Sequence, residues 1–184
     1  MKVALLLGSI RIGRQSHKIA HYLKGELIKR GIEADLIDLA TDALPMLEER
    51  AGMHKEHPAV VAELGRRLEY ADGIIFITPE YHGSFSGVLK NALDYYWREF
   101  QRKPIGVVTV SRGMSGGMNA SIQLQHIILS LGAYPLPVKL LVPEIHKAFD
   151  DQFSPQHESV IRNTEKFIDG FLWLADAIYR KKTA

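Results

Sequence analysis

KVALLLGSIRIGRQS, residues 2–16, is an apolar run that stops at a glycine and opens into a polar loop. A continuous apolar segment of this kind reads as a strand covered on both faces. From Gln15 to Arg30, Ile19, Leu23 and Leu27 recur every fourth residue, and Gly31 supplies a stop, the marks of a helix. A buried strand feeding a helix is the first half of a crossover unit, since parallel strands cannot be joined by a tight turn.

The same alternation continues along the chain. IEADLIDL (32–39) alternates as a second strand, and residues 40–57, with Pro45 and mixed charges, read as a loop. A helix follows from about Ala59 to Ala71, with Val61, Leu64 and Leu68 on one face. GIIFITPEY (73–81) is a third buried strand ending at Pro79. Ser86 is placed to cap a helix with Leu89, Leu93 and Trp97 on one stripe. IGVVTVS (105–111) is a fourth strand and MNASIQLQHIILSLG (118–132) a helix closed by Gly132. KLLV (139–142) is a short fifth strand and 156–180 a long last helix. Without internal repeats or a linker, the expectation is one domain over residues 1–184. It is an α/β fold, a parallel five-stranded sheet with helices on both faces.

Composition narrows the function. The chain has 184 residues, 46% of them hydrophobic, and a net charge of +2, with no basic cluster of the kind that grips nucleic acid. With no cysteine, disulfides, thiolate metal sites and thiol nucleophiles are excluded, and a reducing cytoplasm is the expected setting. The apolar N-terminal run is too short for a signal segment or a membrane span. The histidines show no metal-ligand spacing with carboxylates, so no metal site is expected. His17 and His21, four apart on a helix, read as a solvated pair.

An open parallel sheet binds ligands beyond the carboxyl ends of its strands. In the first such loop, Ser9, Arg11, Arg14, Gln15 and Ser16 precede a helix N-terminus, whose free N–H groups and partial positive charge favour an anion. The loop reads either as a phosphate site or as a solvated turn in which arginines cover the sheet end. It matches neither G-x-G-x-x-G nor the P-loop pattern, so a terminal monophosphate suits it better than a pyrophosphate.

The second loop is TPEYHGSFSGVLKNALDY (78–95), and here the chain resembles the NADPH-dependent FMN reductases, flavodoxin-like proteins that include azo, quinone and chromate reductases. The family run T-P-E-Y-N-G-S-x-x-G-x-L-K-N-A-[LI]-D is matched at nearly every position from Thr78 to Asp94, with His82 replacing asparagine. Its G-S-x-R loop is matched by Gly8, Ser9 and Arg11. The third loop, SRGMSGG (111–117), is similar to the family's third flavin-contacting loop, except that Arg112 stands within the usual S-G-G opening.

The resemblance implies a flavodoxin-like three-layer sandwich with strand order 2-1-3-4-5 and FMN as cofactor. Ser9, Arg11, Arg14, Gln15 and Ser16 would hold its phosphate. Pro79, Glu80, Tyr81, His82 and Gly83 would run along the ring, with backbone N–H groups near His82 and Gly83 facing N5 and O4. Ser111, Arg112, Gly113 and Gly116 would close the third side. No catalytic side chain is implied, since NAD(P)H delivers hydride directly to FMN and ping-pong transfer to a flavin, quinone or azo acceptor follows. Arg112 would face the flavin edge, a nicotinamide phosphate or water. Tyr95, Tyr96, Trp97 and Phe100 exceed what one helix face can bury, so part of the set is expected in a homodimer or homotetramer interface. The competing class is a flavodoxin-type electron carrier, which the +2 charge and the arginines of the first loop disfavour. A tyrosine phosphatase of similar topology needs a cysteine, and a receiver domain needs an acidic cluster after strand one; the chain has neither.

Overall fold

A computed structural model describes residues 1–50 and 58–183. The elements are β1 (Lys2–Leu7), α1 (Ser16–Lys29), β2 (Glu33–Asp38), α2 (Ala59–Tyr70), β3 (Gly73–Tyr81), β4 (Ser84–Phe85) and α3 (Gly87–Tyr95). They continue with β5 (Pro104–Val110), α4 (Met118–Ser130), β6 (Tyr134–Pro135), β7 (Leu140–Val142), α5 (Ile145–Ala148) and α6 (Glu158–Thr183).

The central sheet is parallel, in the order β2-β1-β3-β5, and both β6 and β7 pair with β5 at its far edge. This is the flavodoxin-like order, with the fifth position divided between a two-residue and a three-residue strand. β7 is the expected KLLV strand; β6 and the antiparallel β4 are too short to carry a periodicity.

Because strand side chains alternate, the sheet has two cores. Leu5, Leu7, Ile75, Ile77, Val108 and Val110 face α1 and α6, meeting Ile19, Leu23, Phe167 and Phe171. Leu6, Ile74, Phe76, Ile105 and Val107 face the other way, against Val61, Leu64, Leu89, Leu93 and Leu124 of α2, α3 and α4. Every residue of β5 is buried, as a strand covered on both sides requires.

The helix stops fall at Gly31 and Gly132, both with positive φ, the conformation glycine tolerates best. One expectation is corrected. Helix α3 ends at Tyr95, and Tyr96 is already extended, so Trp97 leaves the Leu89–Leu93 stripe and is half exposed. The turn away from the helix lets Tyr95, Tyr96 and Phe100 all enter the core of this one chain, so no interface is needed to bury them. Trp97 lies under the Arg50 guanidinium, 5.3 Å from the ring centre. His54 and His57, with part of the 40–57 loop, lie outside the described residues.

Candidate functional site: a cleft at the carboxyl edge of the sheet

The ends of β1, β3 and β5 converge on one cleft of about 350 Å³. Its first wall is the β1–α1 turn. Gly13 takes φ +72, the N–H of Arg14 closes back on the carbonyl of Arg11 at 3.0 Å, and α1 then starts at Ser16. The helix has no side-chain cap at Gln15, so its N-terminal positive end is left to the cleft. Ser9, Arg11, Arg14, Gln15 and Ser16 all line this end.

Two details of that wall bear on what it holds. The hydroxyls of Ser9 and Ser16 are buried and have no hydrogen-bond partner. Buried hydroxyls normally have one, so this pair fits a ligand rich in acceptor oxygens. A phosphate is such a group, and the residues present fit it. Arg11 is exposed on the cleft. Arg14 also lines the cleft, but its fork grips both carboxylate oxygens of Asp38, one at 2.6 Å, and donates to the carbonyl of Ser9. Burial pushes the Asp38 carboxyl up, but Arg14 and the Ala40 N–H outweigh that and hold it below its ordinary value.

The second wall is the β3–β4 hairpin. Pairing of Glu80 with Phe85 and Tyr81 with Ser84 leaves His82 and Gly83 as a two-residue turn, with φ of +51 and +76. Positive φ at both central positions is the signature of a type I′ turn, which favours Asn-Gly. That explains why the motif has asparagine where this chain has His82, since histidine is among the few side chains that enter this region readily. The hairpin is held against α4. The Glu80 carboxylate accepts the N–H of Ala120 at 3.1 Å, and Gln123 accepts from the Ser84 hydroxyl and donates to the Gly83 carbonyl. Pro79, Glu80 and Tyr81 line the cleft; His82 and Gly83 sit at the turn beyond its lining.

The third wall begins at Ser111 and Arg112. Ser111 donates its N–H to Val142, while the N–H groups of Glu144 and Ile145 bond back to Gly113 and Ser111, at 3.2 and 3.0 Å. This lacing brings α5 to the rim, so Ile145 and His146 line the cleft beside Arg112. Gly116 does not line it. Its carbonyl takes the Thr109 hydroxyl, and an added Cβ would lie 2.9 Å from Leu141, so it is a close-packing position behind the loop. Gly113 likewise lies outside the lining and supplies the carbonyl that Ser111 Oγ and the Glu144 N–H bond.

The sequence reading missed Asp38, Ile145 and His146. Asp38 is the last residue of β2, so its place at the sheet's carboxyl edge was a usable signal. His146 had none, because α5 spans only four residues.

An FMN-dependent NADPH-azoreductase of Staphylococcus aureus is 34% identical over 76% of each chain, and one of Staphylococcus saprophyticus is 30% identical over 82% of each. The solved structure of FerB, a flavoenzyme NAD(P)H:(acceptor) oxidoreductase from Paracoccus denitrificans, overlays with a TM-score of 0.81. It is 27% identical and covers 97% of both chains. A family model, NADPH-dependent FMN reductase, matches residues 1–147, and the chain belongs to that family.

Proposed function

We propose that the chain binds FMN in this cleft and uses it to pass electrons from NAD(P)H to a small flat acceptor, an azo compound, quinone or free flavin. The observation that carries the reading is the pair of buried, partnerless hydroxyls of Ser9, just after β1, and Ser16, at the uncapped start of α1, both residues lining a cleft bounded by Pro79–Tyr81 and Ser111–Arg112. The relatives named for FMN-dependent azo reduction support it.

In this reading Ser9, Ser16, Gln15 and the first N–H groups of α1 bond the phosphate, and Arg11 meets its charge. The Pro79–Gly83 segment lies along the ring, with N–H groups at His82 and Gly83 offered to its polar edge. FMN supplies an acceptor for hydride and a donor for the second substrate. The chain orients the two reactants and needs no side-chain acid or base. One cleft serves donor and acceptor in turn, which gives ping-pong kinetics. Arg112, on the third wall of the cleft, offers positive charge to the nicotinamide donor.

Residues Met118–Ser130 include no Asp, Glu, Lys or Arg, while Ile122 and Leu129 are 54% and 62% exposed. An apolar helix face of that kind supports a homodimer or homotetramer. A cysteine-free chain suits a reducing cytoplasm.

The test is an FMN titration of the purified chain, followed by anaerobic addition of NADPH. Tight uptake of FMN and bleaching of its visible band by NADPH are expected, with parallel double-reciprocal lines against a quinone. Arg11→Ala should weaken FMN by about 1.5–3 kcal/mol, the range for a hydrogen bond to a charged group. A flavin that stays oxidised under NADPH would identify an electron carrier instead.

A further inference from the structure

By residue type, Arg11 and Arg14 have the same claim on a phosphate. The structure divides them. The side chain of Arg11 makes no hydrogen bond or ion pair among the described residues, whereas the Arg14 guanidinium bonds the Asp38 carboxylate and the Ser9 carbonyl. We propose that Asp38 is a positioning residue for the phosphate turn, acting through Arg14. The proposal rests on the FMN reading of the cleft.

Leu7, the last residue of β1, pairs with Asp38, the last residue of β2, so the carboxylate stands level with the start of the turn. Its two oxygens take the two Nη atoms of Arg14 in the planar, bidentate fit that guanidinium and carboxylate favour. Both side chains are more than four-fifths buried, at 19% and 17% exposure, so water competes little for either. The same Nη1 donates to the Ser9 carbonyl.

That last contact is the useful one. The peptide unit is planar and trans, so its carbonyl and its N–H point in opposite directions. Tying down the Ser9 oxygen therefore fixes where the Ile10 N–H points and, with it, the backbone that carries Ser9 Oγ.

Asp38 is in turn fixed from behind. One of its oxygens accepts the Ala40 N–H at 3.0 Å, and its own N–H donates to Asp42, which also takes Arg67 at 3.1 Å. Arg67 holds Asp35 and the Leu36 carbonyl as well. The path Ser9–Arg14–Asp38–Asp42–Arg67 thus braces the turn against β2 and α2. Arg14 has its charge matched in place, and Arg11 is left as the guanidinium for the ligand.

The experiment measures FMN and riboflavin affinity side by side by fluorescence quenching, for wild type, Asp38→Asn, Arg14→Lys, Arg14→Met and the Arg14→Met/Asp38→Asn double variant. Riboflavin has the ring without the phosphate. Asp38→Asn should weaken FMN about tenfold, within the range for loss of a charged hydrogen bond, and change riboflavin less than about twofold. Arg14→Lys, which keeps the charge but loses the fork, should behave alike and serves if Asp38→Asn does not fold. The double variant should bind FMN no worse than Arg14→Met, because one path carries both effects. If wild type binds FMN and Asp38→Asn binds it equally or more tightly, Arg14 is a direct ligand that Asp38 restrains, and the proposal is overturned. Equal loss of FMN and riboflavin overturns it too, as general loosening of the fold. A wild type that takes up no FMN overturns the cleft reading itself, and this inference with it.

Discussion

The Ser86 hydroxyl donates to the carbonyl of Gly8 at 2.5 Å, joining the start of α3 to the end of β1 beneath the cleft. The same oxygen caps α3 by accepting the Leu89 N–H at 3.3 Å, and the Ser86 N–H bonds Thr78 Oγ1 within β3. One buried hydroxyl thereby couples two cleft walls.

Ser86→Ala removes the cap and leaves the Gly8 carbonyl buried without its partner. Loss of about 2–3 kcal/mol is expected, combining a cap with an unsatisfied acceptor. Urea denaturation measures it, and a change under about 0.5 kcal/mol would show that the coupling carries no stability.

The hairpin turn makes an opposite pair of predictions at His82, φ +51. His82→Asn should leave stability unchanged or raise it by a few tenths of a kcal/mol, since asparagine is favoured in this position. His82→Val should lower it by about 1–2 kcal/mol, because a β-branched side chain clashes at positive φ. Equal stability of the two variants would mean that the turn relaxes to another form.

Arg112 lines the cleft, is exposed, and makes no ion pair among the described residues. Arg112→Gln should raise KM for NADPH several-fold and leave KM for NADH nearly unchanged, since only NADPH carries the extra phosphate that a guanidinium recognises. Parallel changes for both donors would assign Arg112 elsewhere.

Acid should destabilise the fold in two stages. Burial, then Arg14, pushes His17 below its ordinary value, and burial, then Lys24, does the same to His21, which stacks on Phe153 with ring centres 4.7 Å apart. The unfolded chain therefore binds protons at these sites first. Their contribution is intact above about pH 6.5 and is lost as the pH falls below it. The lowered carboxyls of Asp35, held by Arg67, and Asp38, held by Arg14 against its burial, keep their contribution above about pH 4 and lose it below. Melting temperature should start to drop between about pH 7 and about pH 6. His21→Gln should blunt that first drop, and an unchanged profile in the variant would remove His21 from the account.

Much of the second loop's motif proves to be scaffolding. Asn91 clamps the chain at Pro45 and Leu47 through both ends of its amide, and Leu89 packs so close to Gly8 that an added Cβ there would lie 2.6 Å away. These positions were legible as a pattern, while their roles were not, because each partner lies on a distant segment. Trp97 shows the converse failure: its helical spacing was right, but the helix had already ended.

The chain's order of apolar runs and helical periods determined the layered sheet, because burial on two faces and the length of a crossover admit few other arrangements. It also marked the three loops, whose glycines and hydroxyls are local necessities of tight turns at strand ends. Which arginine is tied into the scaffold, and which has no partner among the described residues, was decided only in three dimensions. Arg11 and Arg14 are alike in type, and their difference comes from Asp38, a neighbour brought by strand pairing across 24 residues of chain.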